Sequence, residues 1–466
     1  MDATMELFAL AYPGLQANTP NGNEGEAYFD VLLDALQADD DDNDISNGTP
    51  NSDAITAAFA EHGITLISNA ELEHDEVLFA AVDEGILIEA SLDIDIDFID
   101  FLQSTRLYYK INDDQDWTTA DMDNVGGDDY AYTIPAQPMG TVIQYYVTAI
   151  DINGIEASTL PLAANKPSNP NIPFFIMVGY QQLEAHDSDD NSDWGDWETG
   201  LPSDNATTGL WEENVPIGTS GGTVAPDEQN TEDGELCFLT GQSNDPDAIG
   251  ENDVDAGTTT LQSPMIDLTG LDNPAFSYYR WYTNSPPTGA NPGADWWQGY
   301  ISDDGGNTWV RLDETQQSDA SWRRYAFRVQ DYVDVTDQFM MRFNVSDSIR
   351  PGQNLDGGSL VEGALDDIVL WDEGVTGLNE KTLDAELNIF PNPANDNLNV
   401  EITIDNADKL DIEILNSLGQ IVERRNLGDV NGFRRIVFNT SDLNAGNYQL
   451  RLISNNQSKV VAFNKL

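Results

Sequence analysis

The chain has 466 residues, 83 of them acidic and 19 basic, so its formal net charge at pH 7 is −64. Nucleic acids and anionic membranes are bound through clustered lysine and arginine, so this charge excludes them as partners. The sequence contains no apolar run long enough to span a membrane, and its length is sufficient to bury several cores. Residues 376–466 hold 9 basic and 12 acidic residues, which leaves −61 on residues 1–375.

The single cysteine, Cys237, lies in the apolar run Leu-Cys-Phe-Leu, which predicts a buried strand thiol and excludes an intrachain disulfide. The residues that follow Met1 lack the basic and apolar regions of a signal peptide. We therefore expect Met1 to be internal to a longer protein, and the chain to be its monomeric C-terminal part.

Residues 1–66 contain the helical part of the chain. Apolar spacing of three and four predicts one helix over Ala27–Leu36, and a second over Asp53–Gly63 that Ser52 or Asp53 would cap. An acidic loop and the tetrapeptide Asn-Gly-Thr-Pro lie between them. This arrangement resembles the closing part of the catalytic domain of secreted zinc metallopeptidases of the thermolysin and fungalysin type.

Zinc catalysis in such enzymes needs two histidines one helical turn apart, with a glutamate beside the first. The three histidines of the chain, His62, His74 and His186, do not form this pattern. We therefore predict that the chain has no catalytic residue, and that Zn²⁺ binds only in a catalytic domain upstream of Met1.

The loop from Asp39 to Asp44 offers five aspartates and one asparagine. Ca²⁺ prefers carboxylate and carbonyl oxygens, so Asp39, Asp41 and Asn43 are candidate ligands. The loop departs from the EF-hand pattern because it lacks the glycine at the sixth position and the glutamate at the twelfth. A solvated acidic loop is the alternative.

Residues 67–165 are predicted to form one β-sandwich. Alternating apolar residues indicate strands at Leu107–Ile111 and Val142–Ile150. The sequence segments around these strands resemble those of the immunoglobulin-like modules that accompany secreted hydrolases. The proline-rich residues 166–173 are predicted to be a linker.

Residues 174–374 show short apolar runs between turn signals, which predicts an all-β unit of two packed sheets. The runs Thr258–Ile266, Phe276–Tyr282 and Ala364–Leu370 resemble those of MAM and carbohydrate-binding jelly rolls. Fold alone says little about function in such modules.

Asp366 and Asp367 are adjacent within an apolar strand, so one of them is expected to face the apolar side, where a carboxylate needs a partner. In the resembling families an acid at this point often binds a structural Ca²⁺ together with acids near the domain's start. The resemblance therefore implies a calcium site, and the candidate acids at the start are Asp187, Asp189 and Asp190. A salt bridge to Arg280 or Arg342 is the alternative.

Trp296 and Trp297 are adjacent, so they cannot both face inward if that stretch is extended. An exposed indole would stack on a sugar ring or contact a peptide. Packing against a neighbouring loop is the alternative.

The chain ends with three motifs, in Asn388–Val400, Leu415–Val422 and Leu443–Leu452, followed by Asn464–Leu466. In this order they resemble the C-terminal sorting domain of proteins exported by the type IX secretion system of Bacteroidetes. The resemblance covers residues 377–466 and implies a secreted or cell-surface location, with the secretion machinery as partner. The residues that carry the pattern are Pro391, Asn392, Pro393, Gly419, Gly446, Tyr448 and Lys465.

Together these observations predict a mainly β, multidomain chain with a short helical segment, an immunoglobulin-like sandwich, a jelly roll and a sorting sandwich. The first hypothesis is the non-catalytic C-terminal part of a secreted metallopeptidase, whose β modules bind a protein or glycan substrate or stabilise the enzyme. The second hypothesis is a stand-alone surface adhesin or carbohydrate-binding protein.

Overall fold

The computed structural model describes residues 24–466, with gaps at 68–69, 95–100, 187–195, 220–223, 232–233, 244, 285–292, 319, 348–358, 375–380, 384, 417–420, 442 and 455–456. The chain divides into two compact units, residues 1–373 and 374–466. Two α-helices and 27 strands occur in the described residues, so the prediction of a mainly β fold is confirmed. In the part of the chain described here, no helix has the length and apolar character needed to cross a membrane.

The two helices are α1 (Glu24–Asp39) and α2 (Ser52–Ala60). Leu32 and Leu36 of α1 share a small core with Ile55 of α2. The predicted cap is wrong: Asn51 precedes α2, and its side chain makes no capping hydrogen bond. Instead the carboxylate of Asp39 accepts a hydrogen bond from the Asn51 backbone N–H at 2.6 Å, so the end of α1 holds the start of α2.

The first sandwich contains ten strands in two sheets. They are β1 (Glu71–Glu73), β2 (Phe79–Ala80), β3 (Ile86–Asp93), β4 (Leu102–Ile111), β5 (Thr118–Asp121), β6 (Asp123–Gly126), β7 (Asp129–Ile134), β8 (Thr141–Asp151), β9 (Glu156–Leu160) and β10 (Phe174–Val178). One sheet has the order β1-β3-β7-β6, and the other has the order β2-β10-β8-β4-β5 with β9 beside β8. Alternate apolar residues from both sheets, such as Ile88, Leu107 and Val147, form the core between them.

The second sandwich, the jelly roll, contains eleven strands in two sheets. They are β11 (Tyr180–His186), β12 (Glu198–Thr199), β13 (Trp211–Asn214), β14 (Cys237–Thr240), β15 (Thr258–Gln262), β16 (Ala275–Thr283), β17 (Trp296–Ser302), β18 (Val310–Thr315), β19 (Arg323–Arg328), β20 (Met340–Ser346) and β21 (Glu362–Glu373). One sheet has the order β13-β14-β21-β16-β19 with β11 beside β21, and the other has the order β12-β15-β20-β17-β18. The core between them is rich in aromatic rings, including Phe276, Tyr278 and Phe343.

The boundary between the two sandwiches differs from the predicted one at residue 174. Strand β10 pairs with β8 of the first sandwich, and all five of its residues are buried. Phe174, Ile176 and Val178 join the core of the first sandwich, whereas Phe175 and Met177 join the core of the jelly roll. The apolar run therefore reflects a strand that has a protein core on each face.

The predicted linker at residues 166–173 is not a free spacer. Asn171 and Ile172 are buried, and the Oδ1 atom of Asn171 accepts a hydrogen bond from Arg280 at 3.2 Å. The connection between β10 and β11 is the single residue Gly179, whose φ of +68° suits glycine. A Cβ atom there would lie 2.5 Å from the Cγ2 atom of Val82, so a larger residue would clash at this turn between the sandwiches.

Arg324 of β19 is a buried cation between the two sandwiches. Its guanidinium donates hydrogen bonds to the carbonyl oxygens of Phe175 at 3.2 Å and Leu78 at 3.4 Å, and lies 5.0 Å from the ring of Phe79. Nearby, Asn273 of the jelly roll donates to the carbonyl oxygen of Gly140 at 3.0 Å. Polar bonds as well as apolar packing therefore join the two sandwiches.

The described residues of the second unit form six strands with their own core. They are β22 (Lys381–Thr382), β23 (Ala385–Phe390), β24 (Asn397–Leu415), β25 (Ile421–Asn439), β26 (Gly446–Ser454) and β27 (Gln457–Lys465). Strand β24 pairs with β23 along its first half and with β26 along its second half, and the register shifts between Ile404 and Leu410. Both halves bury alternate residues in one core, so a long strand passes from one layer to the other.

Candidate functional site

The outer face of the jelly-roll sheet β12-β15-β20-β17-β18 carries two rows of polar side chains. Alternate residues of β20, such as Met341 and Phe343, point into the core, which leaves Arg342 and Asn344 on the other face. The register places Gln262, Arg342 and Tyr300 in one row across three strands. The next row holds Thr260, Asn344 and Gln298.

Arg342 is the centre of the first row. Its guanidinium carbon lies 3.9 Å from the ring centroid of Trp309, and its Nε and Nη2 atoms donate to the Oε1 atom of Gln262 at 3.1 and 2.8 Å. Arg342, Trp309 and Tyr300 are each half-buried, so part of each remains accessible. Burial lowers the pKa of Arg342, while the carboxylates of Asp204 and Glu198 raise it.

Asn344 contributes an acceptor to the second row. Its Oδ1 atom is buried and has no hydrogen-bond partner among the described residues. An unsatisfied buried amide oxygen is costly, and its neighbours in the row, Thr260 and Gln298, are buried as well. We call the set Gln262, Tyr300, Trp309, Arg342 and Asn344 the arginine face.

The prediction that one indole of Trp296 and Trp297 is exposed is wrong, because both side chains are fully buried. The two residues do point to opposite faces of β17, and Trp297 packs in the jelly-roll core. The outer face around Trp296 is covered as well, since its cross-strand neighbour Ser346 is also fully buried. Packing, the alternative, accounts for both rings, and neither is available for stacking on a ligand.

Asp366 and Asp367 do not point to opposite faces as expected. The register of β21 shifts opposite them, and Asp367 adopts a φ of +48°, so alternation fails. Asp366 accepts from the Asn230 backbone N–H at 2.9 Å, and Asp367 accepts from Asn230 Nδ2 at 2.6 Å and Thr231 Oγ1 at 2.5 Å. The two carboxylates therefore hold the same loop.

The predicted salt-bridge alternatives for this pair are wrong. Arg280 pairs with Asp313 at 2.6 Å, and Arg342 lies on the arginine face. The predicted calcium ligands Asp187, Asp189 and Asp190 lie outside the described residues, so the calcium site stays a prediction.

In the acidic loop, the candidate ligands are not brought together. Asp39 binds Asn51 and Thr49, and Asn43 occupies the left-handed region with a φ of +66°. Among the described residues, the acids whose oxygens lie close enough for a shared metal are Asp40, Asp41 and Asp42.

The three histidines lie in separate places. His62 is exposed in the turn after α2, and His186 packs between the rings of Trp197 and Phe238. His74 donates from Nδ1 to the carbonyl oxygen of Glu89 at 2.6 Å, so its Nε2 atom accepts from the Tyr145 hydroxyl at 2.7 Å. Burial lowers the pKa of His74, and that of His186 to about 4.

A group of buried acids lies where the jelly-roll strands β15, β20 and β21 begin or end. Asp253 accepts from the Val361 N–H at 3.4 Å, and Asp347 accepts from the Ala256 N–H at 2.7 Å. Burial, with repulsion from Asp255 and Asp347, raises the pKa of Asp253 to about 6. Burial also raises the pKa of Glu362, despite its hydrogen bond from Thr240.

The sorting motifs converge in the second unit. Asn392, between Pro391 and Pro393, accepts from the Asn464 N–H at 3.0 Å and donates to the Ala462 carbonyl at 3.2 Å. Gly446 pairs with Lys465, and Tyr448 stacks on Phe463 with ring centroids 5.5 Å apart. Gly419 lies outside the described residues. The first and third motifs thus meet along β27.

Sequence reasoning missed the arginine face. The signal was present in residues 340–346, where polar residues alternate with Met341, Phe343 and Val345. That pattern predicts a strand with one polar face, and the same spacing occurs at Gln298 and Tyr300. The sequence does not predict that Trp309 lies over Arg342, because a turn brings it there.

Residues 388–464 match the family described as secretion system C-terminal sorting domain. The chain is therefore a multidomain β-sandwich protein with a type IX sorting domain, and it is secreted or located at the cell surface. No curated protein matches the chain.

Several solved structures share a partial likeness. The xylan-binding domain CBM22-2 of Paenibacillus barcinonensis Xyn10C is 10% identical over 40% of this chain and 98% of that one, with a TM-score of 0.23. The CBM51-2 and INT domains of Clostridium perfringens ZmpB are 11% identical over 85% of this chain and 99% of that one, with a TM-score of 0.22. A structure of TmCBM61 with beta-1,4-galactotriose is 12% identical over 39% and 90%, with a TM-score of 0.23. These TM-scores are too low to support a shared fold, so we describe the architecture from the strands and sheets of this chain alone.

Proposed function

We propose that the chain is a secreted glycan-binding protein, and that the arginine face of its jelly roll binds a polysaccharide. The stacking of Arg342 on Trp309 carries this proposal. A half-exposed indole with a guanidinium stacked on one of its faces offers a sugar both apolar ring surface and hydrogen-bond donors.

The neighbouring side chains complement a ligand rich in hydroxyl groups. Gln262 and Asn344 each present amide groups, and the Tyr300 ring is half-buried at the end of the first row. A few convergent polar groups beside aromatic rings are typical of small-molecule and sugar sites. The accessible part of this face is the row of Gln262, Arg342 and Tyr300, since Thr260 and Gln298 of the next row are buried.

Binding of the purified protein to a panel of soluble and insoluble polysaccharides tests the proposal. Trp309→Ala and Arg342→Ala should each weaken binding about tenfold or more, as expected for loss of a stacking ring or a charged donor. Lys110→Ala and Trp117→Ala are matched controls, because Lys110 lies 4.8 Å from the Trp117 ring on the other sandwich. Failure to bind any glycan, or equal loss in the controls, would contradict the proposal.

The metallopeptidase hypothesis stays a prediction. Its support is the helix pair α1 and α2 with the acidic loop between them, which resembles the end of such a catalytic domain. Sequencing the gene upstream of Met1 tests it: an in-frame His-Glu-x-x-His motif would support a parent peptidase, and a stop codon would oppose one.

A further inference from the structure

The outer face of the sheet β1-β3-β7-β6, on the first sandwich, carries a groove of about 610 Å³. Four strands contribute to it, through Glu73, Leu87, Glu89, Ser91, Val125 and Asp129. The residues that follow β1, His74, Asp75, Glu76 and Val77, also line the groove. This groove lies on a different sandwich from the arginine face.

The strand register explains the depression. Glu73, Ser91 and Asp129 form one row across β1, β3 and β7. In the next row, Ala131 of β7 lies between Glu89 of β3 and Asp123 of β6. Each row therefore has a small residue in the middle and a carboxylate at each end. We call the three row acids that line the groove, Glu73, Glu89 and Asp129, the carboxylate frame.

The groove also has an aliphatic part. Leu87 is 49% exposed and Val125 is 61% exposed, although both are large apolar residues. Lysine and arginine side chains bury their aliphatic stems on such surfaces while their charged ends remain with acids or water. The groove thus combines the two surfaces that a long cationic side chain requires.

The dimensions favour an organic cation over a metal ion. Adjacent strands are about 4.8 Å apart, so the two acids in a row begin about 10 Å apart, whereas Ca²⁺ needs its ligands within about 2.6 Å. Among the described residues, the acids that lie close enough for a metal are in the acidic loop, not here. Of the lining residues, none is lysine or arginine, and burial lowers the pKa of His74, which disfavours a charged imidazole there.

We propose that the carboxylate frame binds a lysine or arginine side chain of an extended basic polypeptide. The charged end lies among these three acids, and the aliphatic stem lies on Leu87 and Val125. This site is independent of glycan binding at the arginine face.

Fluorescence anisotropy with a short labelled peptide of alternating lysine and serine tests the proposal on the full chain at about 0.15 M salt. The triple variant Glu73→Gln, Glu89→Gln and Asp129→Asn should bind the peptide roughly tenfold more weakly, since several modest ion pairs are lost together. Leu87→Ser leaves the net charge of the chain unchanged. It should weaken peptide binding a few-fold, because it removes the apolar surface on which the aliphatic part of the lysine side chain lies.

The strongly acidic chain requires a control of equal charge. Glu213→Gln, Asp334→Asn and Asp337→Asn remove three exposed acids from the jelly roll. This control triple should change the affinity less than about twofold at the same salt. Equal weakening by both triples would overturn the proposal, as would native affinity that is no higher for the lysine peptide than for a glutamine counterpart.

Discussion

The guanidinium of Arg324 donates a hydrogen bond to the carbonyl oxygen of Phe175 at 3.2 Å, so a side chain of the jelly roll binds the backbone of the first sandwich. Arg324→Met would remove a buried donor from this oxygen and from that of Leu78, which would keep its hydrogen bond from the Met177 N–H at 3.0 Å. We expect a loss of roughly 2 to 4 kcal/mol in the free energy of unfolding.

Calorimetry of the full chain measures this effect on the transition of the first unit. Arg311→Met is the control, because its side chain is 59% exposed and pairs with nearby Glu314. Surface ion pairs contribute little, so the control should shift stability by less than about 0.5 kcal/mol. Similar shifts in both variants would show that the Arg324 bonds do not stabilise the interface.

The buried acid Asp253 predicts a pH dependence of stability. Its folded pKa is about 6, against an ordinary value of 3.8, so the folded chain holds this proton more tightly than the unfolded chain. Stability should therefore increase as the pH falls from about 7 to about 4, by up to about 3 kcal/mol from this group. Asp253→Asn should raise the melting temperature at pH 7 and have little effect at pH 4.

The comparison must be made between variant and native chains, because His186 acts in the opposite direction. Burial lowers its pKa to about 4, so the folded chain favours neutral imidazole. The stability from this group is lost as the pH falls from about 6.5 to about 4. Parallel pH profiles for the native chain and Asp253→Asn would refute the assignment to Asp253.

Calcium is expected to stabilise the jelly roll through Asp366 and Asp367. Ligand binding to the native state alone contributes about 2.7 kcal/mol at a hundredfold excess over the dissociation constant. The melting temperature should therefore be several degrees higher in millimolar Ca²⁺ than in chelator, with Na⁺ added to match ionic strength.

The corrected geometry changes the mutational test of this calcium site. Both carboxylates hold the loop at Asn230 and Thr231, so Asp366→Ala and Asp367→Ala should each abolish the calcium response. Each should also destabilise the calcium-free chain by about 1 kcal/mol, because half-buried donors of Asn230 and Thr231 lose their acceptor. An unchanged melting temperature with and without Ca²⁺ in the native chain would reject the site.

The sorting unit predicts the destination of a fused reporter. Residues 377–466 behind a signal peptide should direct the reporter to the surface of a host with a type IX system. Asn392→Ala should reduce the surface fraction, because it separates the first motif from β27, whereas Asn431→Ala, at an exposed position outside the motifs, should not. Retention of the native fusion in the periplasm would contradict the prediction that residues 377–466 are an export signal.

Period-two alternation was sufficient to predict the strands of the sorting unit, since Leu398, Val400 and Ile402 are buried in turn. It failed at Asp367, where a register shift and a positive φ break the alternation. A bulge depends on the partner strand, which lies far away in the sequence.

Tertiary packing explains the other differences. The apolar run in β10 indicates that both faces are buried, but not that they belong to two different cores. Likewise, the sequence placed Trp296 and Trp297 on opposite faces of a strand, but the burial of Trp296 depends on the covering of the outer face. The arginine face required the register of three strands, which no local pattern specifies.

The single residue Gly179 between β10 and β11 has a consequence for avidity. Two ligand sites joined by a flexible linker meet a shared target with an effective concentration that the linker's length determines. Here the arginine face and the carboxylate frame are held by one compact unit with no such linker. A matrix that displays a polysaccharide and a basic protein at the matching separation would engage both at once, and one with another spacing would engage only one.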